Sequence, residues 1–293
     1  MIGRLRWRSI LRGMLLTWLL VAGMEARALQ VVDDRGVTVV FAQSPQRILT
    51  VLPSLTEMVC ALGQCQRLVG TDRYSNYPES VRRLPKVGGG LDPNVEAIIA
   101  LKPDAVLLAT SSPLAARLQS LGIRVVALEP KTHADVQRVF DVLGQLLGVT
   151  DARRVWQEID AGVDAAARSL PQRARNLSVY FEVNDAPYAA GEASFIGETL
   201  ARLGVRNIVP AVLGPFPRIN PEYVVRANPD LIMVGDSGYA DLARRPGWNN
   251  LAALKAGRVC VFSLEQSDVM VRPGPRMADA ARLMAHCLAN KAP

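Results

Sequence analysis

Asn94-Val95-Glu96-Ala97-Ile98-Ile99-Ala100-Leu101-Lys102-Pro103-Asp104 runs straight into the apolar residues Ala105-Val106-Leu107-Leu108-Ala109. The second half of the chain repeats the phrase: Asn220-Pro221-Glu222, six further residues, Pro229-Asp230, then Leu231-Ile232-Met233-Val234-Gly235. Asn94 and Asn220 read as helix N-caps, Pro221 suits the first helical position, and an acidic residue in the first turn suits the helix dipole. Upstream, Glu57-Met58-Val59-Cys60-Ala61-Leu62-Gly63 is echoed by Glu198-Thr199-Leu200-Ala201-Arg202-Leu203-Gly204. Downstream, residues 122–129 are echoed by residues 257–265. So long a period marks a duplicated domain; a solenoid would repeat every ~20–50 residues. Two similar α/β lobes leave a cleft between them, and that cleft is the first place to look for function.

Length fits this reading, since 293 residues suffice for two domains of ~100–200 residues each. A hydrophobic fraction of 49% is enough for two cores. The amino terminus stands apart: Arg4, Arg6, Arg8 and Arg12 precede an apolar stretch over 14–23, and Ala26-Arg27-Ala28 has the small-x-small form of an export cleavage site. Residues 1–28 therefore read as a signal peptide, and the apolar stretch is shorter than the ~20 residues of a membrane span. No Cys stands at the cleavage site to carry a lipid anchor, so the expected product is exported to the periplasm and not embedded in a membrane. Removing the leader lowers the net charge from +7 to +3, with 29 basic against 26 acidic residues, and leaves no Lys/Arg block to suggest nucleic acid. In an oxidising compartment, Cys60–Cys65 and Cys260–Cys287 are the favoured pairs; the alternative is four buried free thiols.

Along the mature chain, residues 30–41 read as a hairpin, and 47–52 as a strand broken by Pro53-Ser54 before a helix to Leu62. The continuous apolar runs 105–109 and 123–128 have the character of parallel strands buried on both faces. Val155, Ile159, Val163 and Leu170 recur at helical spacing after Asp151 and before Pro171, giving one long interlobe helix of roughly 30 Å. A helical bridge implies limited lobe closure. The resulting organisation is two Rossmann-like three-layer α/β lobes, residues 29–150 and 172–293, joined by a helix over 151–171. The second lobe restarts with a strand over 178–183, a helix over 194–203, the repeat, a strand over 259–262 and a final helix from Arg276.

Catalytic and metal-binding constellations are not legible. The two histidines, His133 and His286, fall in or beside helices, and no nucleophile elbow, zinc-protease, phosphate-loop or dinucleotide motif occurs. Gly88-Gly89-Gly90 follows no clear strand and reads as a loop requiring unusual backbone angles. The informative residues lie at the expected carboxyl ends of strands, where open α/β sheets bind ligands. Tyr74 and Tyr77 belong to the first lobe; Tyr188, Phe216 between two prolines, and the segment Asp268-Val269-Met270-Val271-Arg272 belong to the second. Aromatic walls with an Asp/Arg rim suit a flat, bulky, partly polar ligand, although each aromatic alone could equally pack its loop. Glu96 and Glu222 are explained as helix-start residues, and two equivalent carboxylates could also grip paired arginines on a symmetric partner.

In order across both lobes, Leu55-Thr56-Glu57, Ala61-Leu62-Gly63, Tyr74-Ser75-Asn76-Tyr77-Pro78, Asn94-x-Glu96, Leu101-Lys102-Pro103-Asp104, Gly122-Ile123, Pro215-Phe216-Pro217, Ser267-Asp268 and Pro275-Arg276 resemble the helical-backbone substrate-binding proteins of ABC importers for cobalamin, haem and iron–siderophores. The resemblance, strongest to the cobalamin-binding members, implies a monomeric periplasmic receptor with cobalamin as its transported ligand and an inner-membrane ABC permease dimer as its partner. It places the corrinoid-contacting Tyr on Tyr74, the second-lobe aromatic wall on Tyr188 and Phe216, and the last cleft loop on residues 268–272. The permease-docking glutamates fall on Glu96 and Glu222. The pattern departs at Gly90, where the family carries a cleft Trp, and near Leu203, where it carries a Cys. Haem, with a Tyr as axial ligand, and iron–siderophore are the alternative ligands; an exported enzyme is the rival class.

Overall fold

A computed structural model describes residues 28–293, except 91, 185 and 186. The leader expected at 1–28 lies outside these residues but for its last position. The first lobe runs β1 (Leu29–Val32), β2 (Thr38–Phe41), β3 (Ile48–Thr50), α1 (Pro53–Ala61), β4 (Leu68–Thr71), α2 (Val95–Ala100), β5 (Ala105–Leu108), α3 (Leu114–Ser120), β6 (Val125–Ala127) and α4 (His133–Leu147). A single helix, α5 (Ala152–Ser169), follows. The second lobe comprises β7 (Ser178–Asn184), β8 (Tyr188–Ala189), α6 (Phe195–Arg202), β9 (Arg206–Asn207), α7 (Pro221–Ala227), β10 (Leu231–Gly235), α8 (Asp236–Leu242), α9 (Ala252–Lys255), β11 (Val259–Phe262), α10 (Leu264–Val271) and α11 (Met277–Lys291).

The repeated phrase performs the same task twice. The Asn94 side chain accepts the Ala97 N–H at 2.8 Å and the Asn220 side chain accepts the Glu222 N–H at 2.9 Å, so each caps its helix. Each helix ends on a left-handed residue before proline, Lys102 at φ 46° and Asn228 at φ 42°, which turns the chain into the next strand. The two aspartates then pin the start of the neighbouring strand. Asp104 accepts the N–H groups of Gln46 and Arg47, and Asp230 accepts the N–H and hydroxyl of Ser178. Register between β5 and β3, and between β10 and β7, is thus set by the same Pro-Asp pair in both lobes.

The first sheet has order β4-β3-β5-β6 with all pairs parallel. In the second, β11-β10-β7 is parallel and β8 adds antiparallel to β7, with β9 also paired to β7. Both faces of each sheet are covered. Leu49, Val106 and Leu108 face one layer of the first lobe, and Tyr180, Ile232 and Val234 face the corresponding layer of the second. The opposite faces share one continuous core, in which Ile48 and Leu107 connect through Phe140, Trp156, Ile159 and Val163 to Val179, Met233 and Met284. The long helix is therefore packed along its length between α4 and α11. A Cβ on Gly144 would stand 2.5 Å from that of Ala152, and one on Gly162 would stand 2.6 Å from that of Ala278, so glycine permits both close crossings. Asp151 starts α5 without a side-chain cap bond and pairs instead with Arg154 at 3.2 Å. Both short-range disulfides form, Cys60–Cys65 and Cys260–Cys287.

Candidate functional site

The carboxyl ends of β3 and β4 carry a loop that polar bonds hold rigid. Thr50 and Thr56 hydroxyls lie 2.6 Å apart, Thr56 and Ser75 hydroxyls 2.8 Å, and Ser75 donates onward to Asp72. Asp72 also accepts the Tyr74 N–H at 2.8 Å, and burial raises its carboxyl above the usual range despite these donors. Lys86 donates to Thr71 Oγ1 and to the Ser75 carbonyl. On this platform Tyr74 and Tyr77 are exposed, Tyr74 to 58%. The Arg276 guanidinium covers the Tyr77 ring at 4.4 Å.

Across the cleft, β7 ends beside β8, where Tyr188 is exposed. The Pro215-Phe216-Pro217 segment is tied to that strand, with Ala189 N–H donating to the Pro217 carbonyl and Gly191 N–H to the Pro215 carbonyl. Phe216 is half-buried and rests on Phe195 with ring centroids 6.0 Å apart. Behind this wall, Arg245 grips both oxygens of buried Glu182 at 2.5 and 2.8 Å and lies 4.6 Å from the Trp248 ring. The Tyr180 hydroxyl also donates to Glu182, and burial together with that carboxylate pushes the Tyr180 phenol well above its usual range.

The segment 268–272, read from sequence as a loop, is the last turn of α10 and its C-cap. Ser263 and Gln266 close a capping box that starts this helix. Met270 consequently points into the core, while Asp268, Val269 and Val271 remain partly accessible. Arg272 is only 7% exposed, so it is not a rim group. Its Nη1 donates to Glu57 Oε1 at 3.0 Å and to Asn76 Oδ1 at 2.7 Å; its Nη2 donates to the Tyr74 carbonyl at 3.1 Å and pairs with Asp268 at 2.8 Å. Arg276 adds a fork onto both Glu57 oxygens at 2.6 and 2.8 Å, and Asn76 Nδ2 donates to Asp268 at 2.8 Å. Two carboxylates and two guanidiniums thus balance at the cleft floor and join the lobes. Sequence reading missed Glu57, Asn76 and Arg276 as a structural unit. The Asp268–Arg272 spacing of four was the available helical signal.

A second seam joins α4 to α6. The Glu198 carboxylate accepts the His133 N–H at 2.6 Å, and His133 Nε2 lies 3.1 Å from the Phe195 carbonyl and 3.0 Å from Thr199 Oγ1. Arg202 Nη1 approaches His133 Nδ1 at 3.1 Å while also binding Asp160 of α5 at 2.6 Å. A guanidinium has no lone pair, so Nδ1 must accept and the ring is neutral. Burial holds the His133 pKa below its ordinary value, against the opposing pull of Glu198.

Two recesses flank Asp268. One, of about 470 Å³, lies within the second lobe against Glu182, Asn184, Asp236, Ser237, Ser267 and the α10 surface. The other, of about 370 Å³, lies between the lobes against Asn76, Tyr77, Arg82, Gln266 and Arg276. Glu96 and Glu222 are both exposed in the first turns of α2 and α7, with Glu96 3.7 Å from Arg117. These helices run back toward the starts of β5 and β10, so both glutamates lie toward the carboxyl edges of the sheets. A Cβ at Gly90 would meet only the Val51 carbonyl, at 3.9 Å. Among the described residues, no His/Cys/Asp/Glu group is arranged for a metal ion and no helix is long and apolar enough to cross a membrane.

Two α/β lobes lie around a cleft and are joined by one packed helix, and the sequence match supplies the class, a solute-binding protein of ABC transporters. Residues 48–263 match the periplasmic binding protein family, to which this chain belongs. It is 27% identical over 271 residues to the ABC transporter substrate-binding lipoprotein YvrC of Bacillus subtilis (87% of this chain, 84% of the relative). It is 27% identical over 261 residues to the vitamin B12-binding protein of Pectobacterium carotovorum (85% of this chain, 90% of the relative). Among solved structures, the periplasmic heme-binding protein BhuT in complex with two hemes aligns with TM-score 0.72 and 26% identity, covering 86% of this chain and all of that one (100%).

Proposed function

We propose that this chain is the periplasmic receptor of an ABC importer and that it captures cobalamin between its lobes for delivery to an inner-membrane permease. The importer class follows from the family and from relatives of that kind covering most of the chain. The corrinoid assignment rests on one observation: exposed Tyr74 and Tyr188 and half-buried Phe216 stand at the carboxyl edges of the two sheets around a floor already neutralised by its own ion pairs. A broad ring system can stack there without meeting an unpaired charge. In this reading Tyr74, Tyr188, Phe216 and Asp268 touch the ligand, Val269 and Val271 contribute apolar edge, and Arg272 holds the floor beneath it. Glu96 and Glu222, one per lobe, engage permease arginines.

Haem is the second reading, favoured by the exposed tyrosines, any of which could supply a phenolate ligand. His133 cannot serve, since both ring nitrogens are engaged at the second seam, and His286 pairs with Asn290 on α11. Titration with cyanocobalamin, haemin and ferric siderophores separates the candidates. Cobalamin should bind with sub-micromolar affinity, about −8 kcal/mol or better, and Phe216→Ala should weaken it by about 1–3 kcal/mol. Tight haemin binding with no response to cobalamin would transfer the assignment to haem. Glu96→Gln with Glu222→Gln should leave ligand affinity intact and abolish uptake; normal uptake would reduce both to helix-start residues.

A further inference from the structure

The connectors that lead into the strands carry an unbalanced charge. Arg47, Arg67, Arg124 and Arg258 stand immediately before β3, β4, β6 and β11, Arg206 opens β9, and Arg175 lies three residues before β7. The strands they enter are parallel within each sheet, so all six lie at the amino edges, opposite the carboxyl edges that face the cleft. With Lys102 and Arg173, the connectors 42–47, 62–67, 101–104, 121–124, 170–177, 203–206, 228–230 and 256–258 hold eight cations against two acids, Asp104 and Asp230. That is +6 in a chain whose residues after 28 total +3, so everything else totals −3. Asp104 and Asp230 accept backbone N–H and hydroxyl donors. Among the described residues none of the eight cations is ion-paired.

Backbone carbonyls hold these guanidiniums in place. Arg47 donates to the Leu101 and Lys102 carbonyls at 2.6 and 3.0 Å, Arg124 to Val40 at 3.0 Å, Arg206 to Asn176 at 3.1 Å and Arg258 to Asp230 at 2.8 Å. A guanidinium has five N–H donors, so each keeps donors for an outside acceptor. The long helix connects the two rows of cations. Ser44, in the connector to β3, donates to the Leu146 carbonyl just before α5, and Arg175 donates to the Ala167 carbonyl at its end. The 18 residues of α5 therefore set the rows about 27 Å apart. The acids along it are already paired, Asp151 and Glu158 with Arg154, Asp160 and Asp164 with Arg202. Leu29 pairs with Phe41 beside Val40, so the leader read at 1–28 joins the first lobe at this same edge.

We propose that the two amino edges form a docking surface for anionic phospholipid, on which the protein rests reversibly with its cleft turned away from the bilayer. Two rows of fixed cations on one side of the molecule match an extended layer of phosphates, whereas a small anion would meet one row only. Val40, whose carbonyl binds Arg124, and Leu121 are exposed apolar side chains beside these cations, which suits the headgroup boundary and gives no advantage with a soluble polyanion. In this pose Glu96 and Glu222 face away from the bilayer, so the protein leaves the lipid before the permease docking proposed above. The surface is independent of which ligand the cleft takes.

The test is co-sedimentation of residues 29–293 with phosphatidylcholine vesicles that contain or lack phosphatidylglycerol. Binding at low ionic strength should be at least about tenfold stronger to the anionic vesicles and should fall steeply by about 0.15 M salt. Arg124→Gln with Arg206→Gln keeps a side-chain donor for each carbonyl and removes two charges, so it should weaken binding about 10–30-fold. Arg244→Gln with Arg282→Gln removes the same charge from exposed positions outside the connectors and should change binding less than about twofold. Arg124→Lys with Arg206→Lys disturbs the same bonds but keeps the charge, and should bind like the unsubstituted protein. No binding to anionic vesicles at low salt overturns the proposal, as do equal losses in the two Gln pairs or a loss in the Lys pair. Retention on heparin without vesicle binding also overturns it and assigns the surface to a soluble polyanion.

Discussion

The lobes meet at two seams, and the seams differ in what holds them. At the cleft floor, Glu57 accepts from two arginines, one of which also binds Asn76, Asp268 and a backbone carbonyl. Every charge there has an opposite within hydrogen-bond reach. At the α4–α6 seam, the central group is a neutral imidazole held between a carbonyl, a hydroxyl and a guanidinium. The first seam is bound by ion pairs, and the second depends on a ring remaining unprotonated. A two-lobed protein can thus be stiff in one place by charge saturation and pH-sensitive in another, although both contacts join the same bodies.

The strongest way to break this comparison is to remove the shared acceptor. Glu57→Ala leaves two guanidiniums buried without their carboxylate, which should cost about 3–5 kcal/mol in chemical denaturation. Loss of less than ~1 kcal/mol, the scale of an exposed pair, would show that the floor is not the dominant tie.

Acid should act on the second seam. The folded-state pKa of His133 is depressed, so its contribution is fully present above the unfolded-state value near 6.5 and is lost as pH falls below it. The charged groups facing the ring are Glu198 and Arg202 from α6 and Asp160 from α5. A second proton would fall on Nδ1, directly against Arg202. Between pH 6.5 and 5, stability should drop with a slope of up to about 1.4 kcal/mol per pH unit from this group. His133→Gln keeps one acceptor and one donor without titrating, so its profile should be flatter over that interval. Parallel profiles would remove His133 from the account.

The smallest expected effect is on shape. With α5 packed between the lobes and both seams closed, small-angle scattering should give nearly equal radii of gyration for the free and ligand-bound protein. A clear contraction on binding would mean that the seams open and that the helix does not fix the lobes.

Much of the architecture was legible because its signals are local. Asn94 and Asn220 cap, and the apolar runs that follow their helices have nowhere to lie but within a covered sheet. Each of these follows from neighbours a few residues apart, or from a strand paired in the next layer. Tyr74, Tyr188 and Phe216 were legible as candidates for the same reason, since an aromatic in a Pro-bounded loop after a strand has few core positions open to it.

The floor and the recess were not legible. Residues 268–272 look like a loop when Val269-Met270-Val271 is read as an apolar wall, and only the capping box at Ser263 and Gln266 makes them helix. Glu57 finds its partners 215 and 219 residues away, and nothing in the spacing of a common Glu and two common Arg distinguishes them from surface charges. The sequence by itself determined the duplicated α/β lobes and the caps of the repeated helices, because short-range geometry and burial pattern suffice for those. Only the tertiary structure decided that Arg272 is buried between Glu57 and Asp268, because a charged side chain takes its partners from whichever opposite charges the folded chain brings to it.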